Sequence, residues 1–298
     1  MNPQPPANQP PCPEAIPDLA LSLESSFLGF FAHAGFLGAL NEAGLRPRHI
    51  AGASSGAIIA VLAGAGFDTA EIRKVIFDPV FRRSFWEWGS FPRMMGMTLW
   101  LRGATGFTSA RKAVRYLEGV LRDRAPRLEN ATHAKVSVAV ANLTANRTEI
   151  RTEGEAAKAI IASCAFPVLV CPQKLGGEWF WDGGLADSCP FAHYAADAEV
   201  RVIIAHHLDH PDHVERWKVP GFVPRISDAF GRAHALITRE LREYHVAAVR
   251  SAGKQLFPVT TMVTRPGLFA GNKVFGKCYE DGWSSGEEFA ATCSRAIR

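Results

Sequence analysis

The chain has 298 residues, 47% of them apolar and 21% charged, with a formal net charge of +4. Those values fit a globular α/β domain with a sizeable core; the weak basicity gives no argument for nucleic acid, although it does not oppose an anionic membrane surface. Cys12, Cys164, Cys171, Cys189, Cys278 and Cys293 form no CxxC pair, and no histidine stands at finger-like spacing. This argues against structural zinc and for the reduced thiols of a cytoplasmic protein.

Met1 to Pro17 holds seven prolines without an apolar run or a positively charged start, so it is expected to be a disordered leader rather than a signal peptide or anchor. No uncharged apolar stretch reaches the ~18 residues needed to span a bilayer. Leu19 to Leu23 alternates as a strand, and a turn follows at Glu24-Ser25-Ser26. A helix is predicted from Phe30 to Ala43, closed by Gly44, then a short strand at His49 to Ala51 and a buried helix over Ala57 to Ala63.

Residues 68 to 124 read as a helical insertion. Val136 to Val140 and Thr148 to Arg151 read as strands joined by a turn, Val200 to Ala205 as a buried strand, and 225 to 252 as a long amphipathic helix. The order of strand, helix, strand, tight turn and helix is that of an α/β fold with a parallel sheet. The expected organisation is a leader over 1–17, a principal domain over 18–205, and a mainly helical extension over 206–298 packed on the same domain.

Gly52-Ala53-Ser54-Ser55-Gly56 matches the G-x-S-x-G nucleophile elbow. A sharp strand-to-helix turn exposes the serine, and the residues two before and two after it must be small to avoid collision. The helix that follows directs amide N–H groups toward developing negative charge. Ser55 is a rival hydroxyl, although no frame of the motif centres on it.

Two kinds of base are available to Ser54. His206, His207, His210 and His213 follow the strand ending at Ala205, in a composition that favours a solvated turn. Asp182 precedes Gly183 and Gly184, which would let its turn approach another backbone closely; a partly desolvated aspartate gains basicity, while Asp-Gly by itself also reads as an ordinary turn.

Leu21 to Gly66, with Phe31-Ala32-His33-Ala34-Gly35-Phe36-Leu37 ahead of the elbow, resembles the N-terminal block of patatin-like phospholipases. Asn142-Leu143-Thr144, Ala162-Ser163-Cys164-Ala165-Phe166-Pro167 with Pro172, and Asp182-Gly183-Gly184 resemble later elements of that family in the same order. The resemblance covers about residues 18 to 205. It implies a three-layer α/β/α fold with a central, mostly parallel sheet, and lipid acyl hydrolysis by a Ser-Asp dyad, which falls on Ser54 and Asp182. It implies no metal and no organic cofactor.

The family's glycine-rich oxyanion loop aligns with Ser25, Ser26, Phe27, Leu28 and Gly29, a departure from its usual sequence. Backbone amides of any residue type serve if the dihedrals are tolerated, and Gly29 is expected at a positive φ. His33, on the following helix, is expected to be packed rather than catalytic. The aromatics, methionines and arginines between Phe85 and Arg102 suit either a lipid interface, an acyl-chain pocket or a cap packed on the core.

The expected partner is a lipid or acyl-ester substrate, with peripheral membrane contact. A Ser-His hydrolase or acyltransferase, a small-ester esterase and a catalytically silent lipid-binding relative are the alternatives.

Overall fold

The structure, a computed structural model, describes residues 16–101, 103–210, 226–264, 266–267 and 270–297. All but the last two residues of the expected disordered leader lie outside them, as does His213.

The chain begins with β1 (Ile16–Leu23), α1 (Phe30–Glu42), β2 (Pro47–Ala53) and α2 (Ser55–Gly64). An insertion follows: α3 (Thr69–Phe77), α4 (Pro79–Ser84), α5 (Ser90–Thr98), β3 (Gly106–Thr108) and α6 (Arg111–Leu121). Then come β4 (Lys135–Asn142), β5 (Arg147–Arg151), α7 (Ala156–Ser163), β6 (Val168–Val170), β7 (Gln173–Leu175), β8 (Glu178–Asp182) and β9 (Val202–Asp209). The chain finishes with α8 (Ile226–Ser251), β10 (Gln255–Met262) and α9 (Asn272–Ile297).

The main sheet is mixed, in the order β10-β9-β1-β2-β4-β8-β7, with β5 also paired to β4. Strands β10, β9, β1, β2 and β4 run parallel, whereas β5, β8 and β7 join antiparallel to their neighbours. Apolar alternation along β1 feeds both faces. Leu19, Leu21 and Leu23 enter the larger core with Phe31 and Phe36 of α1 and Ile58 of α2. Ala20 enters a second cluster with Ile203, Ala205, Tyr194 and Val249 of α8. A parallel sheet buried on both faces needs such near-continuous apolar strands.

Gly44 closes α1 at φ 75, the left-handed position that stops a helix. The predicted strands and helices from Leu19 to Ala205 appear with boundaries moved by a few residues. Strand β3, helix α7 and four further strands were not anticipated. Strands β6, β7 and β8 are short, and β10 contains Pro258, which a strand tolerates here because β10 is an edge.

Helix α9 carries Gly276, Gly282 and Gly286, residues that read as helix breakers in sequence. Gly282 and Gly286 allow close packing instead. A Cβ on Gly282 would lie 2.0 Å from the Ala32 carbonyl oxygen, and one on Gly35 would lie 2.0 Å from that of Tyr279. Helices α1 and α9 therefore touch backbone to backbone. The segment after Ala205 also contributes β10 to the main sheet, directly beside β9.

Candidate active site

Ser54 and Asp182 meet because β4 lies between the strands that deliver them. Ala53, at the end of β2, pairs with Ala139 of β4; the next β4 residue, Val140, pairs with Asp182 at the end of β8. Ser54 starts α2 at φ 51, ψ −116, a left-handed placement for a residue with a side chain. Such strain costs about 1–3 kcal/mol and is held only by surrounding contacts.

Those contacts are short. A Cβ on Gly52 would fall 2.3 Å from the Gly56 carbonyl carbon, and one on Gly56 would fall 2.3 Å from the Leu23 oxygen. Only glycine fits at either flank of the elbow. The Ser54 N–H donates to Ser163 Oγ at 2.8 Å, and Ser163 donates in turn to the Ala139 carbonyl at 2.7 Å. Ser163 has no solvent exposure. Its role was not recognised from sequence, where it stood only as part of a segment resembling the family.

Asp182 is 1% exposed. Burial pushes its carboxyl up to about 7, against the opposing effects of the neighbouring Ser54 hydroxyl and of the hydrogen bond from the Gly184 N–H. The Gly184 N–H lies 2.8 Å from Asp182 Oδ1, and the Asp182 N–H donates to the Ala165 carbonyl at 3.0 Å. The two glycines serve close approach: a Cβ on Gly183 would lie 2.1 Å from the Ala139 oxygen, and one on Gly184 would lie 2.1 Å from Ser25 Oγ. Cys164 neighbours Ser54, and burial together with the nearby Asp182 charge holds its thiol protonated well above the usual range.

The loop after β1 lies over the elbow. Ser25 N–H donates to the Ser188 carbonyl at 2.6 Å, Ser26 N–H to Ser55 Oγ at 3.2 Å, and Gly29 N–H to the Ser26 carbonyl at 3.1 Å. Among the described residues, no acceptor is assigned to the N–H groups of Phe27 and Leu28. The positive φ expected at Gly29 is found instead at Leu28, φ 56, while Gly29 has φ −67. Gly29 is required for space: a Cβ there would lie 2.6 Å from Leu208 Cδ1 and 2.8 Å from Ser26 Cβ. Ser55, the rival hydroxyl, is 4% exposed and ties this loop to α2.

A buried polar network supports the loop from beneath. The Glu24 carboxylate accepts from Arg242 of α8 at 2.6 Å, from the Leu208 N–H at 2.8 Å and from Ser188 Oγ at 3.4 Å. Burial alone would raise its pKa, but His207 and Arg242 more than offset that and leave Glu24 below the usual range. His234 of α8 donates from Nε2 to the Gly184 carbonyl at 2.9 Å. Helix α8 thus touches both sides of the site. The periodicity of 225–252 predicted the helix and gave no sign of these two contacts.

Two of the four histidines expected in a solvated turn are not there. His206 and His207 lie within β9, 0% and 2% exposed, because the strand continues past Ala205 to Asp209. His206 bonds to His33 Nδ1 at 2.9 Å and to Thr261 Oγ1 at 2.8 Å and stacks on Phe36, and burial holds it well below the usual imidazole range. His33 is packed, as expected, with Nε2 donating to the Glu24 carbonyl at 2.8 Å; burial lowers its pKa to about 4. His210 Nδ1 lies 3.0 Å from the Val263 carbonyl. Among the described residues, no histidine hydrogen-bonds with Ser54.

Asn142 and Thr144 brace the strands that carry Asp182. Asn142 Nδ2 donates to Glu149 and Glu178, and Thr144 Oγ1 accepts from the Trp179 N–H. Among the described residues, no group of three or more histidines, cysteines and carboxylates is arranged to hold a metal ion.

Comparison with known proteins adds to this picture. The chain is 26% identical over 223 residues to an uncharacterized protein, R571, of Acanthamoeba polyphaga mimivirus, covering 69% of this chain and 71% of that protein. Its fold is similar to that of VipD from Legionella pneumophila, with a TM-score of 0.50 at 16% identity over 95% of this chain and 67% of the other. Residues 21–195, more than half the chain, match the family model described as patatin-like phospholipase. That match contains the end of β1, the elbow and the turn that carries Asp182, and the chain belongs to the patatin-like phospholipase family.

Proposed function

We propose that this protein hydrolyses acyl esters of lipids, in the manner of a phospholipase A or lysophospholipase, with Ser54 as nucleophile and Asp182 as base. One observation carries the reading: a buried carboxylate, its pKa raised to about 7, stands beside the hydroxyl of a serine held at a strained strand-to-helix turn.

In this reading Asp182 takes the Ser54 Oγ proton as Oγ attacks the ester carbonyl. The tetrahedral oxyanion accepts hydrogen bonds from backbone amides of the Ser25–Gly29 loop and from the start of α2. Within the loop, the unengaged Phe27 and Leu28 amides are the favoured donors. Collapse breaks the ester C–O bond, and the leaving alcohol receives the proton from Asp182. Water then attacks the acyl-Ser54 ester while Asp182 takes its proton, and that proton returns to Ser54 Oγ as the fatty acid departs. No step calls on a metal or an organic cofactor. The protein acts in the cytoplasm, at membrane faces that supply the lipid; the unpaired thiols of Cys164, Cys171, Cys189 and Cys278 are consistent with that compartment.

A lipid-binding protein without turnover is the second reading, favoured by the internal acceptors already taken by the Ser25, Ser26 and Gly29 amides. Turnover of a panel of phospholipids, lysophospholipids and short soluble esters decides between them. The hydrolase reading expects activity in the wild type and none above background in folded Ser54→Ala or Asp182→Asn protein. A folded wild type inactive on every ester supports the second reading. Activity that survives Ser54→Ala removes the dyad.

A further inference from the structure

Helix α5 is inside out. Phe91, Met94 and Met95 stand at the i, i+3, i+4 spacing that normally faces a core, yet they are 66%, 42% and 47% exposed. The residues α5 buries are Ser90 and Gly96. Trp88 just before the helix is 96% exposed and Trp100 just after it 94%, with Leu99 and Leu101 beside it at 62% and 59%. An apolar surface of this kind marks an interaction site.

The surface continues to the candidate active site. Strand β3 joins the insertion to β6, with Gly106 paired to Val168. Val168 is 64% exposed and sits at φ 71, an unusual placement for a β-branched residue. Phe166 and Leu169 are also exposed. This second group follows Ala165, whose carbonyl holds the Asp182 N–H, and Cys164, which neighbours Ser54.

The stretch of chain that carries the apolar surface is basic. Residues 79–116 hold seven lysines and arginines against one acidic residue, Glu87, whereas the whole chain has 33 against 29. Glu87 points inward: its side chain is 11% exposed and accepts from Arg93 at 2.8 Å, from Ser109 Oγ at 2.8 Å and from the Arg111 N–H at 3.0 Å. The stretch 79–116 therefore presents aromatics and basic groups outward, with its one carboxylate withdrawn.

We infer that α5, its two flanking tryptophans and the 166–169 loop form a docking surface for an anionic lipid membrane. Tryptophans and aliphatic side chains enter the headgroup boundary, and the basic residues around them meet anionic headgroups. The inference rests on the proposed lipid hydrolysis for its occupant, and it orients the mouth of the site toward the bilayer.

The test is flotation of the full chain with phosphatidylcholine vesicles, with and without phosphatidylglycerol, for wild type and for the double variant Trp88→Ser/Trp100→Ser. Both tryptophans are exposed, so the variant keeps the fold, and turnover of a short water-soluble ester should be unchanged. Wild type is expected to float with the phosphatidylglycerol vesicles, less so at high salt, and the variant to bind at least about tenfold more weakly. Absence of wild-type binding overturns the inference, as does equal binding by the variant. A wild-type dimer that the double substitution dissociates also overturns it, by assigning the surface to a second copy of the chain. Vesicle binding without turnover of any ester leaves the surface standing and removes the proposed hydrolysis.

Discussion

Ser163 holds Ser54 in place: its hydroxyl accepts the Ser54 N–H at 2.8 Å and donates to the Ala139 carbonyl at 2.7 Å. One side chain on α7 thus fastens the strained elbow to the central strand. Ser163→Ala would leave two buried backbone groups without that partner, at a cost of about 1–3 kcal/mol in stability. The elbow would also relax away from φ 51, so kcat for a soluble ester is expected to fall at least about tenfold while KM changes little. Denaturant unfolding and steady-state kinetics on the same sample check both parts. An unaltered kcat would show that the Ser163 contact does not position Ser54.

The proposed role of Asp182 as base links activity and stability to pH in opposite directions. As a base it must be ionised, so kcat/KM for a soluble ester is expected to rise with pH through about 7 and then level. Its folded pKa is raised above the ordinary value of 3.8, so between those values the folded state holds a proton that the unfolded chain has released. The stabilisation from that proton is complete below the unfolded pKa and is lost as pH rises through about 7. Asp182→Asn does not titrate. It should be more stable than wild type above pH 7, by on the order of 1.4 kcal/mol per unit of pKa displacement, with the difference closing toward pH 4. Urea unfolding of both proteins across that range gives the comparison; a gap independent of pH would contradict it.

Glu24 and Arg242 fasten the loop after β1 to α8. Glu24→Gln removes the charge that Arg242, Leu208 N–H and His207 share, and hydrogen bonds to a charged group are worth about 1.5–3 kcal/mol. Because Phe27 and Leu28 follow within four residues, the expected kinetic result is a lower kcat, about tenfold, with a smaller change in KM. Arg242→Met should reproduce it and Arg242→Lys should restore part of the loss. A change confined to KM would assign the pair to substrate binding.

The α1–α9 contact is predicted to be intolerant of a single methyl group. Gly282→Ala would press a Cβ against the Ala32 backbone, so α9 must shift, at an overpacking cost of about 1–3 kcal/mol. Gly276→Ala, on the same helix with nothing within 4 Å of the added carbon, is the control and should be neutral or slightly stabilising. Thermal melts of the two variants should diverge. Equal melting temperatures would mean that α9 packs less closely than the backbone contacts indicate.

The elbow was legible because its chemistry constrains local residue types: small flanks, a strand before and a helix after. Asp182 was not legible from its neighbours, since Asp-Gly serves ordinary turns equally well, and the resemblance to a family pointed to it. What brings it to Ser54 is register, with Ala139 and Val140 of one strand facing Ala53 and Asp182 on either side. Ser163, Glu24, Arg242 and His234 act across long sequence separations and leave no local pattern. The same holds for His206, which composition placed in a turn and the sheet draws into a strand. Helix α5 reversed the usual reading, because its apolar spacing is genuine and only the fold shows that it faces outward.

The pairing of Ser54 with Asp182 is tested most directly by a fluorophosphonate that phosphonylates an activated serine, followed by intact mass and peptide mapping across a pH series. The account predicts a single adduct on Ser54, a labelling rate that rises through about pH 7, and a rate at least about a hundredfold lower in folded Asp182→Asn protein. An adduct on another residue, no adduct in folded wild type, or undiminished labelling of Ser54 in Asp182→Asn would contradict it.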